Sequence, residues 1–428
     1  MRLWTGLMAG LAILGGTSAQ AATLQEHASY VCSEIKAEPT LAEYEARFAA
    51  SFIAGVSREA AVEVLKGTFA ELGACAGATL AVPPAQPLEW ASFDLAMADG
   101  FVLDVGISVD EDGKVDGLLL RGADDPQVQI RSFADLAAVL ETLPGRTAAA
   151  FVDASPGVAA APQLHHPEEV LPTGSTFKLW VLGLLAADVK AGYLSWATPL
   201  TIKEEWKSLP SGEMQNLPAG YRPSAFEFAQ KMISISDNTA TDHLILYLGR
   251  DRVADHARLM GLSPHRGNDP FLTTLEMFKA KWGVAPERSQ AFAAADAAGR
   301  RAMLEEIAKF PRDQVCADGV RCTVPTLVHD IEWFATPKEL CDAMGSLTTG
   351  GDRYVREVLA VNTPFAAVGA SNPWSYAGYK GGSEPGVLNM TYWLERADGS
   401  RGCLSVSWTD ADAPLNQRRF SSLIEKTL

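Results

Sequence analysis

A two-domain α+β chain is predicted by three features of its patterning. Apolar residues recur at three- and four-residue spacing as far as Leu72, then switch to alternation as far as Arg121. A polar seam, Ala123-Asp124-Asp125-Pro126, follows. Beyond it a long helical stretch ends in three more alternating runs. With 428 residues and 47% apolar composition, the chain has material for more than one core.

In the first domain, Leu24 to Lys36, Leu41 to Ala54 and Arg58 to Leu72 carry helical periodicity, with Pro39 and Gly55 as breaks. Trp90 to Met97, Phe101 to Val109 and Val115 to Arg121 alternate, joined by Asp99-Gly100 and Asp112-Gly113. Asp-Gly between alternating runs favours a tight hairpin, so a meander with helices on one face is expected. The boundary falls near residue 130, giving a small α+β domain over 22–130 and a larger one over 131–428. The larger begins with a helix at Ser132 to Leu143 and a strand at Thr147 to Asp153. Helices dominate from Phe177 to about Ala343, including Phe226 to Ile235 and Thr239 to Leu248. Strands return at Tyr376 to Ser383, Val387 to Glu395 and Gly402 to Thr409, the last pair turned by Asp398-Gly399.

Residues 1–21 have the form of an export signal. Arg2 gives the positive start, Leu3 to Leu14 the apolar stretch, and Ala19-Gln20-Ala21 the small-residue cleavage site. The stretch is too short to span a bilayer comfortably, so a soluble periplasmic or secreted protein beginning near Ala22 is expected. Export makes disulfides available to Cys32, Cys75, Cys316, Cys322, Cys341 and Cys403. Six cysteines allow fifteen pairings. Cys32 with Cys75 is attractive because both lie in one N-terminal segment. Cys316 with Cys322 would close a small loop, leaving Cys341 with Cys403. No Cys-x-x-Cys pair suggests zinc. The net charge of −16, or −17 once Arg2 is removed (−16 − 1), gives no general attraction for nucleic acid or anionic membrane. The expected partner is a small-molecule substrate, with no cofactor.

Three short segments carry chemistry. Ser175-Thr176-Phe177-Lys178 opens an apolar run to Val189; a serine and a lysine three apart share one helix face, where a base can reach a nucleophile. Apolar residues on nearly every side mark that helix as buried, which would hold its start rigidly. Ser236-Asp237-Asn238 lies between two predicted helices, and all three residue types also suit a helix N-cap. Lys380-Gly381-Gly382-Ser383 ends a strand, where glycines admit a close backbone and the lysine supplies a fixed charge. His165-His166, with no third ligand nearby in sequence, reads as a polar loop rather than a metal site. Of Trp374, Tyr376 and Tyr379, some are expected in the core and one or two along the cleft.

In that order the three segments resemble the motif set of penicillin-recognising serine enzymes. Across about residues 132–428 the sequence is similar to the class A β-lactamases. The resemblance implies an antiparallel sheet with an all-helical subdomain. It also implies that Ser175 is the nucleophile, Lys178 its base and Ser236 the proton path to the leaving nitrogen. Asn238, Lys380, Gly382 and Ser383 would bind substrate, with the amides of Ser175 and Ser383 forming the oxyanion hole. Two departures stand out. The third segment has Gly381 where the family carries a hydroxyl, and Ser383 is the available substitute. The family's Glu-x-x-Leu-Asn loop, whose glutamate activates the deacylating water, is missing between Asn238 and Gly283; Glu276 is the nearest carboxylate. The long stretch from Gly283 to Thr336 exceeds the compact family plan. With the added N-terminal unit and the stretch Lys380 to Gly386, the chain resembles clavulanate-cluster β-lactamase-like proteins, whose N-terminal part is steroid-isomerase (NTF2)-like. The expectation is an exported serine hydrolase acylated at Ser175 by a β-lactam or related amide or ester. An esterase, a D-Ala-D-Ala peptidase and a non-turnover β-lactam or peptidoglycan-fragment binder are the alternatives.

Overall fold

A computed structural model describes residues 14–33, 38–82, 90–317, 320–361 and 373–428. Arg2 and all but the last residue of the apolar stretch Leu3 to Leu14 lie outside them, as does Lys36. Among the described residues, no helix is long and apolar enough to cross a membrane. The chain divides into two compact units: Met1–Arg131 with Asn416–Leu428, and Ser132–Leu415. The last segment therefore belongs with the first unit, whereas the sequence reading carried the second domain to Leu428.

The first unit pairs helices with an antiparallel sheet in the order β1 (Cys75–Val82), β2 (Ala91–Met97), β3 (Val102–Val109), β4 (Val115–Asp124). Leu24, Tyr44, Phe93, Leu95, Val105 and Ile107 are fully buried and form its core. β1 was not anticipated. Its residues are small and mostly exposed, so they show no alternation. The expected helix from Leu41 to Ala54 is two helices, Leu41–Arg47 and Ala50–Gly55. The break comes at Phe48, extended and bridged to Val115, with the Ala49 amide donating to Val115 O at 2.8 Å. The terminal helix Gln417–Thr427 packs on β4, and Lys426 pairs with Asp124 at 2.8 Å.

In the second unit a five-stranded antiparallel sheet runs β6 (Gln163–His165), β5 (Arg146–Asp153), β11 (Arg401–Thr409), β10 (Val387–Glu395), β9 (Tyr376–Glu384). A short pair, β7 (Leu171–Pro172) with β8 (Phe334–Ala335), precedes the Ser175 segment. Helix Pro337–Thr349 lies against β5, β10 and β11. Helices Lys178–Lys190, Ala225–Ser234, Asn238–Leu248 and Arg250–Leu259 share one core, which includes the fully buried Trp180, Phe228 and Leu244. The expected disulfides Cys32–Cys75, Cys316–Cys322 and Cys341–Cys403 are all formed.

Candidate active site

Ser175 lies in a 3-10 turn, Gly174–Phe177, that runs straight into helix Lys178–Lys190. The turn is pinned from behind. The Thr173 amide donates to Trp333 O at 2.8 Å, and Phe177 stacks on Trp333 with ring centroids 3.6 Å apart. From Lys178 to Leu185 every residue of the helix is buried, so its start has no room to shift.

Lys178 is fully buried and reaches into the second motif. Its Nζ donates to Ser236 O at 2.7 Å and Asn238 Oδ1 at 2.7 Å, and lies 3.1 Å from Ser236 Oγ. Within this motif the helix cap and the contacts to Lys178 fall to different residues. Asp237 is the N-cap of helix Asn238–Leu248 and also takes the amides of Glu213 and Met214. That leaves Ser236 and Asn238 for the lysine. Ser236 sits at φ 56°, a left-handed conformation that non-glycine residues adopt at a cost and that clusters at functional sites.

Lys380 approaches from β9. Its Nζ donates to Ser236 Oγ at 3.2 Å and to Gly381 O at 2.6 Å, so one hydroxyl bridges two amines. Burial pushes the Lys380 amine down to about 7. Burial first, and the Lys380 charge second, push Lys178 well below the usual lysine range, against an opposite pull from Asp242 and Asp237.

β9 runs hard against the serine turn. A methyl group on Gly382 would sit 2.6 Å from the Ser175 nitrogen, and one on Gly174 would sit 2.9 Å from the Ser383 nitrogen. Only glycines permit this approach, and it brings the amides of Ser175 and Ser383 to one place. Ser383 itself is exposed.

Glu276 is engaged elsewhere. It closes a capping box with Thr273, whose amide donates to Oε2 at 2.8 Å, while Arg250 holds Oε1 at 2.6 Å. The aromatics before Lys380 scatter: Tyr376 donates to Arg356 O, Tyr379 packs on Tyr392, and Trp374 lies under Arg396.

Sequence reasoning missed two sets of buried charges around this turn. Asp242, one helical turn beyond Asn238, accepts from the Thr274 and Leu275 amides at 2.6 and 3.0 Å, and burial pushes its carboxyl up to about 7. The second set is Lys281 with Glu332 and Glu384, all three side chains more than nine-tenths buried. Glu384 shares a β9 face with Lys380 and Gly382, and Glu332 directly precedes Trp333. Burial and the neighbouring Glu332 hold the Glu384 carboxyl well above the usual range, while the two carboxylates raise Lys281.

Residues 132–315, a little under half of the chain, match the model of a family described as "Beta-lactamase enzyme family". No curated protein matches the sequence. Among solved structures, a β-lactamase from Sphaerobacter thermophilus aligns at 19% identity and TM-score 0.47, covering 69% of this chain and 93% of its own. A β-lactamase from Burkholderia vietnamiensis aligns at 14% identity and TM-score 0.48, covering 70% and 96%. PBP-A aligns at 15% identity and TM-score 0.43, covering 68% and 93%. The segment that carries Ser175, Lys178, Ser236 and Asn238, residues 132–315, is thus similar to the β-lactamase enzyme family.

Proposed function

We propose that this protein is an exported serine hydrolase of β-lactamase type, acylated at Ser175 by a β-lactam or a related amide or ester. The observation that carries the reading is the line Lys178 Nζ, Ser236 Oγ, Lys380 Nζ, with spacings of 3.1 and 3.2 Å, beside the Ser175 turn. A neutral Lys178 keeps two N–H bonds to pure acceptors, Ser236 O and Asn238 Oδ1, and has its lone pair left to take a proton. Ser175 Oγ adds to the substrate carbonyl as its proton passes to Lys178. The amides of Ser175 and Ser383 receive the developing oxyanion; losing one such donor typically costs about 3 kcal/mol of transition-state stabilisation. On collapse the carbonyl carbon–nitrogen bond breaks, and the nitrogen takes its proton from Lys178 through Ser236. Lys380, charged, holds the substrate carboxylate, and Asn238 positions the substrate amide. Water then releases the acyl group.

One observation favours a second reading. With both oxygens of Glu276 taken by Arg250 and the Thr273 amide, the carboxylate nominated to activate that water is not free to do so. A D-Ala-D-Ala peptidase, an esterase or a non-turnover binder of β-lactams or peptidoglycan fragments would tolerate slow release. Intact-mass spectrometry after penicillin exposure separates these. An adduct absent from Ser175→Ala supports acylation at this hydroxyl; its loss within minutes marks an enzyme, and persistence for hours a binder. Equal labelling of both proteins would remove Ser175 from the mechanism.

A further inference from the structure

We infer that Glu141, His165 and His166 form a binding site for a divalent transition-metal ion, zinc being the best fit to two imidazoles and one carboxylate. Helix Phe133–Leu140 ends at Glu141, and β6 ends at His165, so two elements distant in sequence meet here. One oxygen of Glu141, Oε1, lies 3.1 Å from His166 Nε2 and 3.7 Å from His165 Nδ1. The three donor atoms all fall within 4.8 Å of one another. Ligands 2.0–2.2 Å from a tetrahedral zinc stand about 3.3–3.5 Å apart, and the two measured edges bracket that value.

The outer hydrogen bonds settle what these atoms can offer. His166 Nδ1 lies 2.9 Å from Thr147 O, a pure acceptor, so Nδ1 carries the proton and a neutral ring turns its Nε2 lone pair to Glu141. His165 Nε2 lies 3.1 Å from Thr147 Oγ1, whose own proton has Leu140 O as an acceptor at 3.3 Å. That arrangement leaves the His165 Nδ1 lone pair directed at the same carboxylate oxygen. Three acceptors then face one another, which is unfavourable unless a cation lies between them. A single proton could bridge the His166 contact, but 3.7 Å is too long for a hydrogen bond from His165. Metal-bound histidines characteristically have the other ring nitrogen anchored in this way, and Thr147 anchors both. His166 also sits at φ 46°, and its ring centroid lies only 4.0 Å from that of His165, although successive strand residues ordinarily face opposite ways. Glu141 and His166 are about half exposed, which leaves an entry path and a fourth position for water. An ion here would clip the edge strand β6 to the helix end, ten residues before Ser175.

The test uses the whole protein, purified without a histidine tag and freed of metal with chelator. Titrated with Zn2+, it should bind one equivalent and melt at a higher temperature. Co2+ should give the visible absorption of a four-coordinate nitrogen–oxygen site. Glu141→Gln, and His166→Asn, which tolerates the left-handed backbone, should each weaken zinc binding at least tenfold. Both should keep the wild-type circular dichroism and metal-free melting temperature. Absence of one-equivalent binding in the wild type, or equal binding in both variants, overturns the site and leaves a histidine–glutamate ion pair.

Discussion

The two lysines that share Ser236 should give the acylation reaction an unusual pH profile. Lys380 is cationic below its pKa and neutral above it, and burial places that pKa at about 7 in the free protein. The cationic fraction is about ten-elevenths at pH 6 and about one-eleventh at pH 8, a roughly tenfold fall. Lys178 must be neutral to act, and burial pushes its pKa down as well, which moves the rising limb that it contributes toward lower pH. The acylation rate constant kcat/KM for a carboxylate-bearing β-lactam should therefore drop about tenfold from pH 6 to pH 8, reporting the free enzyme. An ester without a carboxylate has no use for the Lys380 charge and should show no such limb. Lys380→Arg, which stays charged throughout, should also flatten it. Stopped-flow acylation across pH 5.5–9 measures all three. A tenfold descent that persists with the neutral ester or in Lys380→Arg would refute the assignment of the limb to Lys380.

Three other outcomes follow from the packing. Gly382→Ala should lower acylation at least 100-fold, because a methyl group would press on the Ser175 amide; unchanged labelling by penicillin would contradict the close approach. Within the buried triad, Lys281→Met should cost about 3–5 kcal/mol in urea unfolding by leaving two carboxylates facing each other. Glu384→Gln should cost less than Lys281→Met, since burial and Glu332 already make the charged form of that carboxyl the unfavourable one; reversal of this order would refute the charge assignment. Cys341 and Cys403 are 62 residues apart, and the chain-entropy relation gives their crosslink about 4 kcal/mol; a double alanine variant of unchanged stability would contradict that.

What could be read from the sequence follows physical rules. The three motifs were legible because each packs its polar residues within four positions of the chain, where the pattern can be read without the fold. The helix Arg58–Leu72 and the strands β10 and β11 were legible because one face of each is apolar. β1 was hidden by small, exposed residues that show no period. The Lys281 triad was hidden for a different reason. Its members are 51 and 103 residues apart, and each alone looks like an ordinary surface charge. Glu276 drew notice by its position after Asn238, while its place in a first helical turn already suited the capping box that it forms beside Arg250. Glu141 was overlooked as a neighbour of His165 and His166 because only the antiparallel pairing of β5 with β6 brings residue 165 back beside the helix that ends at residue 140.

The first unit is built from both ends of the chain, with the second unit's 284 residues (415 − 132 + 1) lying between its pieces. During synthesis β4 must wait for the helix that packs on it until Gln417–Thr427 emerges. A stop codon just after Leu415 would thus spare every residue of the second unit while leaving the first incomplete. Loss of catalysis from so late a truncation would reveal that the smaller unit sustains the larger one.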